Sequence, residues 1–207
     1  MIISVEGNIG SGKSTFVEYL RENIPNTVFL QEPVKEWNKI KDKNGETMLA
    51  KFYKDQKKYS FPFQMMAYIS RLSLLKETVE QNPGCVIITE RCLDTDRQVF
   101  AKMLYDDGNI EEIEYQIYLR WFDDFKKDFP IAHHIYLKTD PAVANERVLK
   151  RNRSGEIIPL AYLHACDKYH NDWLEAPGTR EKVITIDANQ TADSFSKWHE
   201  CVKKILG

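Results

Sequence analysis

The stretch Met1-Ile-Ile-Ser-Val-Glu-Gly7-Asn8-Ile9-Gly10-Ser11-Gly12-Lys13-Ser14-Thr15 decides the fold. An apolar, partly β-branched run enters a glycine-rich turn, and Phe16, Val17 and Leu20 then recur at helical spacing. The order is strand, loop, helix. Gly7, four intervening residues, Gly12, Lys13 and Ser14 complete a phosphate-loop pattern in the context that pattern requires. Its glycines let consecutive backbone N–H groups turn inward around an anion, and the helix N-terminus adds partial positive charge. Lys13 is placed to reach terminal phosphates, and the Ser14 hydroxyl to hold Mg²⁺. Residues 7–15 therefore predict binding of a nucleoside triphosphate.

Outward from that loop, the chain reads as one domain over residues 1–207, with 43% hydrophobic and 29% charged residues. A net charge of −2 argues against a nucleic-acid surface. No apolar run approaches the roughly 18 residues of a membrane span, and no leader pattern precedes the first strand, so a cytoplasmic protein is expected. Cys85, Cys92, Cys166 and Cys201 form no C-x-x-C pair, and the histidines show no metal-ligand spacing. His133 and His134 are adjacent on a strand and point to opposite faces. Reduced thiols and no structural zinc are the expectation.

Thr27–Leu30 reads as a second buried strand whose end delivers Glu32 into a loop stopped by Pro33. Ligands of open parallel sheets sit at the carboxyl ends of strands, where Glu32 falls; a solvated loop acid is the alternative. Helices are predicted over 45–57 and 60–81, the second with Pro62 in its first turn. Gln64, Ala67 and Arg71 share one stripe of that helix, either to read a base edge or to face water. Residues 85–89 form the most apolar strand, ending at Glu90, where a second acid of a phosphate site would assist Mg²⁺, and at Arg91. A helix-capping pair is the plainer reading of those two. Asp94 and Asp96 open a helix through Leu104, either as functional acids or as acids complementing its dipole.

An aromatic amphipathic helix over 110–127 reads as core or subunit face. A fourth strand covers 133–138, and the helix after Pro141 ends in Arg147, Lys150, Arg151 and Arg153, a lid over phosphates or a solvated basic helix end. Helix 159–174, strand 182–186 and helix 193–205 complete the chain. Alternation of this kind predicts a P-loop α/β/α fold with a five-stranded parallel sheet.

Gly7-Asn-Ile-Gly-Ser-Gly-Lys-Ser, Glu32-Pro-Val-x-x-Trp37, Pro62-Phe-Gln64, Glu90-Arg91, and Arg151-x-Arg153 followed by Ile158-Pro159-Leu160 together resemble the deoxyribonucleoside kinases. The resemblance runs in order from residue 2 to about residue 190. It implies ATP- and Mg²⁺-dependent phosphorylation of a deoxyribonucleoside on its 5′-hydroxyl. Glu32 would be the base and Arg91 its orienting partner; Lys13, Ser14 and Glu90 would serve the phosphates and metal. Arg147, Arg151 and Arg153 would form a lid spanning about 147–158, and Asp187-Ala188-Asn189 the loop around the donor adenine. Tyr53 and Glu156 would hold the sugar 3′-hydroxyl, although the lid is one residue shorter between Ser154 and Pro159 than in those relatives.

By the same resemblance the base lies between Phe63 and Phe100, with Trp37 beside it and Gln64 on its Watson–Crick edge. Ala67, Arg71 and Asp96 match the deoxycytidine and deoxyguanosine kinases, which favours deoxycytidine or a deoxypurine over thymidine. A homodimer is implied, with helix 110–127 a candidate face. A nucleoside monophosphate kinase is the alternative enzyme, but Glu32 would repel its acceptor's phosphate. A nucleotide-gated binding protein is the alternative of another class; the Asn-Lys-x-Asp of a GTPase is missing from the sequence.

Overall fold

The computed structural model describes residues 1–153, 156–190 and 195–206. β1 (Ile2–Glu6) is buried along its whole length and feeds through the loop into α1 (Lys13–Asn23). β2 (Thr27–Leu30) follows, then a single turn, α2 (Val34–Trp37). α3 (Met48–Lys54) and the long α4 (Gln56–Gln81) lead to β3 (Val86–Glu90). α5 (Leu93–Thr95) continues without a break as a π-helical segment (Asp96–Ala101) and then α6 (Lys102–Asp106). The remainder is α7 (Glu112–Phe125), β4 (His133–Lys138), α8 (Pro141–Arg151), α9 (Leu160–Leu174), β5 (Val183–Asp187) and α10 (Phe195–Leu206).

The five strands are parallel in the order β2-β3-β1-β4-β5, so the first strand is central. Its alternation divides the core. Ile3 and Val5, with Ile88, Ile135 and Leu137, pack against Phe16 and Leu20 of α1 and Trp198 and Val202 of α10. Fully buried aliphatics of this kind contribute about 1.5–3 kcal/mol each. On the other face Ile2 and Ile87 meet Leu75 of α4, and Tyr136 meets Cys92, Val99 and Trp173. The expected three layers are present.

Several boundaries differ from the sequence reading for local reasons. The helix expected over 45–57 is cut to α3, because Thr47 caps it by accepting from the Ala50 N–H at 3.2 Å and Asp55 leaves helical geometry at φ −149°, ψ 82°. The Asp55 carboxylate then accepts from the Lys58 N–H, which starts α4 four residues before Ser60. Pro62 consequently stands inside the helix, not in its first turn. The expected start of the last helix at Asp193 and the Ser154–Gly155 part of the lid lie outside the described residues.

Candidate active site

Gly7 and Gly10 adopt φ of +143° and +84°, which disfavour L side chains. A Cβ on Gly10 would stand 2.4 Å from the Ala144 carbonyl oxygen of α8. The loop and α8 are therefore in direct main-chain contact. Within the loop, Asn8 accepts from the Ile9 N–H and donates to the Leu163 carbonyl, tying it to α9. The Lys13 ammonium donates to the carbonyls of Gly7 at 3.0 Å and Asn8 at 2.7 Å. Burial, then the charge of Arg91, brings its pKa down to about 7, against the opposing pull of Glu90, Glu32 and Glu6. Beside it the Ser14 hydroxyl donates to Glu90 Oε1 at 2.7 Å.

Glu32 after β2 and Arg91 after β3 join Arg71 of α4 and Asp96 of the π-helical segment in a four-residue charge network. Arg71, buried in α4, donates from Nε to Asp96 Oδ2 at 2.9 Å, from Nη1 to the Glu90 carbonyl at 2.9 Å and from Nη2 to Glu32 Oε1 at 3.0 Å. Arg91 Nε lies 3.4 Å from the same Glu32 oxygen. Burial alone would raise the Glu32 pKa, but Arg91, Arg71 and Lys13 outweigh it and hold the carboxyl below its ordinary value. Burial pushes Asp96 up despite Arg71. The site thus keeps Glu32 ionised.

Arg91 takes a left-handed backbone, φ +63°, at the end of β3. That conformation costs on the order of 1–3 kcal/mol in a non-glycine residue. Its guanidinium lies 4.7 Å from the Phe100 ring centroid, and Nη1 is 3.5 Å from His170 Nε2. His170 is fully buried, stacked on Tyr136, with Nδ1 2.7 Å from the Cys166 carbonyl. Burial and Arg91 hold its pKa well below the usual value, so the imidazole is neutral: Nδ1–H donates to Cys166 and the Nε2 lone pair faces Arg91. The sequence carries no local signal for His170, whose site partner is 79 positions away.

The aromatic residues gather at the amino-terminal half of α4. Phe63 stacks on Phe52 at 4.5 Å between centroids and meets Trp37 edge-on at 5.6 Å. Phe52 was not anticipated. Trp37 is fixed by its indole N–H, which donates to the Ser70 hydroxyl at 2.7 Å. Gln64, Ala67 and Arg71 are all buried, which removes the water-facing alternative, and Gln64 Oε1 has no hydrogen-bond partner among the described residues. An orphaned buried amide oxygen carries a cost that a bound donor would relieve.

After α8, Arg151 donates to Glu156 Oε2 at 2.5 Å and Arg153 lies 3.7 Å from its other oxygen. Burial, then the Glu156 carboxylate, raises the pKa of Tyr53, so tyrosine and glutamate share one neighbourhood. Arg147 turns elsewhere, donating to the carbonyls of Ala188, Asn189 and Gln190 at 2.9–3.2 Å. Asp187 in turn accepts from the Asn189 N–H at 3.0 Å. That arginine braces the 187–190 loop.

A glycine-rich loop at the end of β1, an arginine-bound carboxylate after β2 and an aromatic cluster around α4 now stand together. The family model for deoxynucleoside kinases matches residues 3–206. The chain belongs to the deoxynucleoside kinase family. It is 35% identical to a Fowlpox virus protein named as a probable deoxycytidine kinase, over 92% of this chain and 79% of that one. Identity to human deoxycytidine kinase is 30%, over 98% of this chain and 88% of the relative. Identity to human mitochondrial thymidine kinase 2 is 32%, over 84% and 64% respectively. The chain is accordingly a phosphotransferase acting on nucleosides with a nucleotide donor. No helix among the described residues is long and apolar enough to cross a membrane.

Proposed function

We propose that this kinase transfers the terminal phosphoryl group of ATP to the 5′-hydroxyl of deoxycytidine or a purine deoxyribonucleoside, with thymidine a poor substrate. The carrying observation is the guanidinium of Arg71, which spans Asp96 and Glu32 in one hydrogen-bonded unit. It joins base recognition to the carboxylate at the reacting end. A buried arginine–aspartate pair occupies the space a thymine methyl needs, and Asp96 can accept from an exocyclic amine. Overall identity does not separate these substrates, since the deoxycytidine and thymidine relatives score alike. The pair is therefore the basis of the choice.

Phosphoryl transfer of this class has a loose transition state, so catalysis rests on positioning and charge neutralisation more than on base strength. Glu32, kept ionised by Arg71 and Arg91, aligns the hydroxyl and receives its proton. Phe63, Phe100 and Trp37 clamp the base, Gln64 supplies its free amide oxygen to the base edge, and Ala67 leaves room. Tyr53 and Glu156 receive the 3′-hydroxyl. Glu156 must then give up Arg151 and Arg153, which are released to the phosphates of the donor. Ile9, Ser11, Gly12 and Thr15 complete the phosphate loop as ATP contacts, with Arg147 and residues 187–189 bracing the adenine end.

The Ser14 hydroxyl and Glu90 carboxylate, already in contact, are hard oxygen donors that fit Mg²⁺. Bound there, the ion would neutralise charge on the transferring phosphates. We further assign a homodimer and, because the four thiols are free, a reducing compartment such as the cytoplasm. The test is a phosphorylation assay with ATP and Mg²⁺ against the four deoxynucleosides. Deoxycytidine or a deoxypurine should be converted best, and Arg71→Met combined with Asp96→Ala should shift the ratio toward thymidine. Thymidine as the best wild-type substrate would reject the base assignment.

A further inference from the structure

Three side chains from separate segments meet where β1 enters the glycine-rich loop, and none is assigned a contact with substrate or nucleotide in the proposed transfer. Glu6 ends β1, Cys92 precedes α5 and His134 lies on β4; all are buried, at 0%, 1% and 5% exposure. A carboxylate oxygen, the thiol sulfur and a ring nitrogen lie within 4.8 Å of one another. Glu6 Oε2 accepts from the Thr95 hydroxyl at 2.7 Å, while Oε1 has no hydrogen-bond partner among the described residues. Among the described residues, the Lys13 ammonium near Glu6 is engaged by the Gly7 and Asn8 carbonyls, and Lys126, near His134, by Asp94. A buried carboxylate with one bare oxygen calls for a cation.

We propose that Glu6, Cys92 and His134 form a binding site for a divalent transition metal of the zinc class. Thiolate, carboxylate and neutral imidazole around a dication sum to zero charge, which suits a buried site. The sulfur and nitrogen ligands select zinc, cobalt or copper over the hard ions that Ser14 and Glu90 would take. Zinc bonds of about 2.0–2.3 Å place ligand atoms roughly 3.3–3.8 Å apart, so these side chains close in by at most about 1.5 Å. The Ser4 hydroxyl, 2.7 Å from His134 Nδ1, holds the ring as outer-shell partners do. The Thr95 hydroxyl, 3.6 Å from the sulfur, donates to Glu6 Oε2 and so ties the thiol and carboxylate ligands together. The ion joins the entrance of the phosphate loop to the segment that follows Arg91.

The test uses the chain of residues 1–207, unfolded in chelator and refolded with Co²⁺ alone, with Mg²⁺ added afterwards in excess. A near-ultraviolet thiolate-to-cobalt band should appear at about one equivalent, survive the Mg²⁺ and vanish in both Cys92→Ser and His134→Gln, while Cys85→Ser retains it. Zn²⁺ should raise the melting temperature of the wild type and leave Cys92→Ser unmoved. If one variant fails to fold, the other still reports. A wild type without the band, or a band that persists when Cys92 is replaced, overturns the site.

Discussion

Lys13 holds a pKa of about 7 because it is buried beside Arg91, and its donors rest on loop carbonyls. Phosphate oxygens arriving at the loop add negative charge and raise that pKa. Above pH 7 the free site is largely unprotonated and the complex protonated, so nucleotide binding takes up a proton. Calorimetric titration with ATP at pH 8 in two buffers of different ionisation enthalpy should give an uptake of about one proton, falling toward zero at pH 6. Lys13→Met should abolish it, and a wild type without uptake at pH 8 would show that the lysine is charged throughout.

At the level of elements, the contact between Gly10 and α8 couples the glycine-rich loop to the helix that carries Arg147 and Arg151, two of the arginines proposed for the lid. Gly10→Ala meets both a left-handed φ and a carbonyl oxygen at 2.4 Å. The backbone conformation alone costs about 1–2 kcal/mol. A melting temperature lower by several degrees and ATP affinity weakened at least about tenfold are expected; unchanged values would show that α8 moves freely. The strands and the glycine loop were legible because continuous apolar runs and a fixed spacing encode them locally. The end of α3 was not, since Asp55 serves as cap for the next helix while sitting in a run of helix formers. The π-helical turn that carries Asp96 and Phe100 and the left-handed Arg91 have no spacing signature, and the His170 contact joins residues 79 positions apart. The meeting of Glu6, Cys92 and His134 is likewise long-range, and each of them looks unremarkable in its own segment.

At the scale of the whole molecule, α7 has two faces. Tyr118 and Phe122 are buried against α4, whereas Ile113, Ile117, Trp121 and Phe125 recur every fourth residue and are 66%, 43%, 44% and 38% exposed. Such an apolar stripe is the face proposed for the dimer. Sedimentation at micromolar concentration should give a dimer for the wild type and a monomer for Ile117→Glu with Trp121→Glu; a monomeric wild type would reject the assignment. Strand order carries a separate consequence. Glu32 follows β2 and the phosphate loop follows β1, with only β3 between them. Two interstrand steps are about 10 Å, a length fixed by backbone hydrogen bonding. With the roles proposed for Glu32 and the loop, the sheet is the ruler of the reaction, and surface changes that leave its ladders intact leave the span between donor and acceptor unaltered.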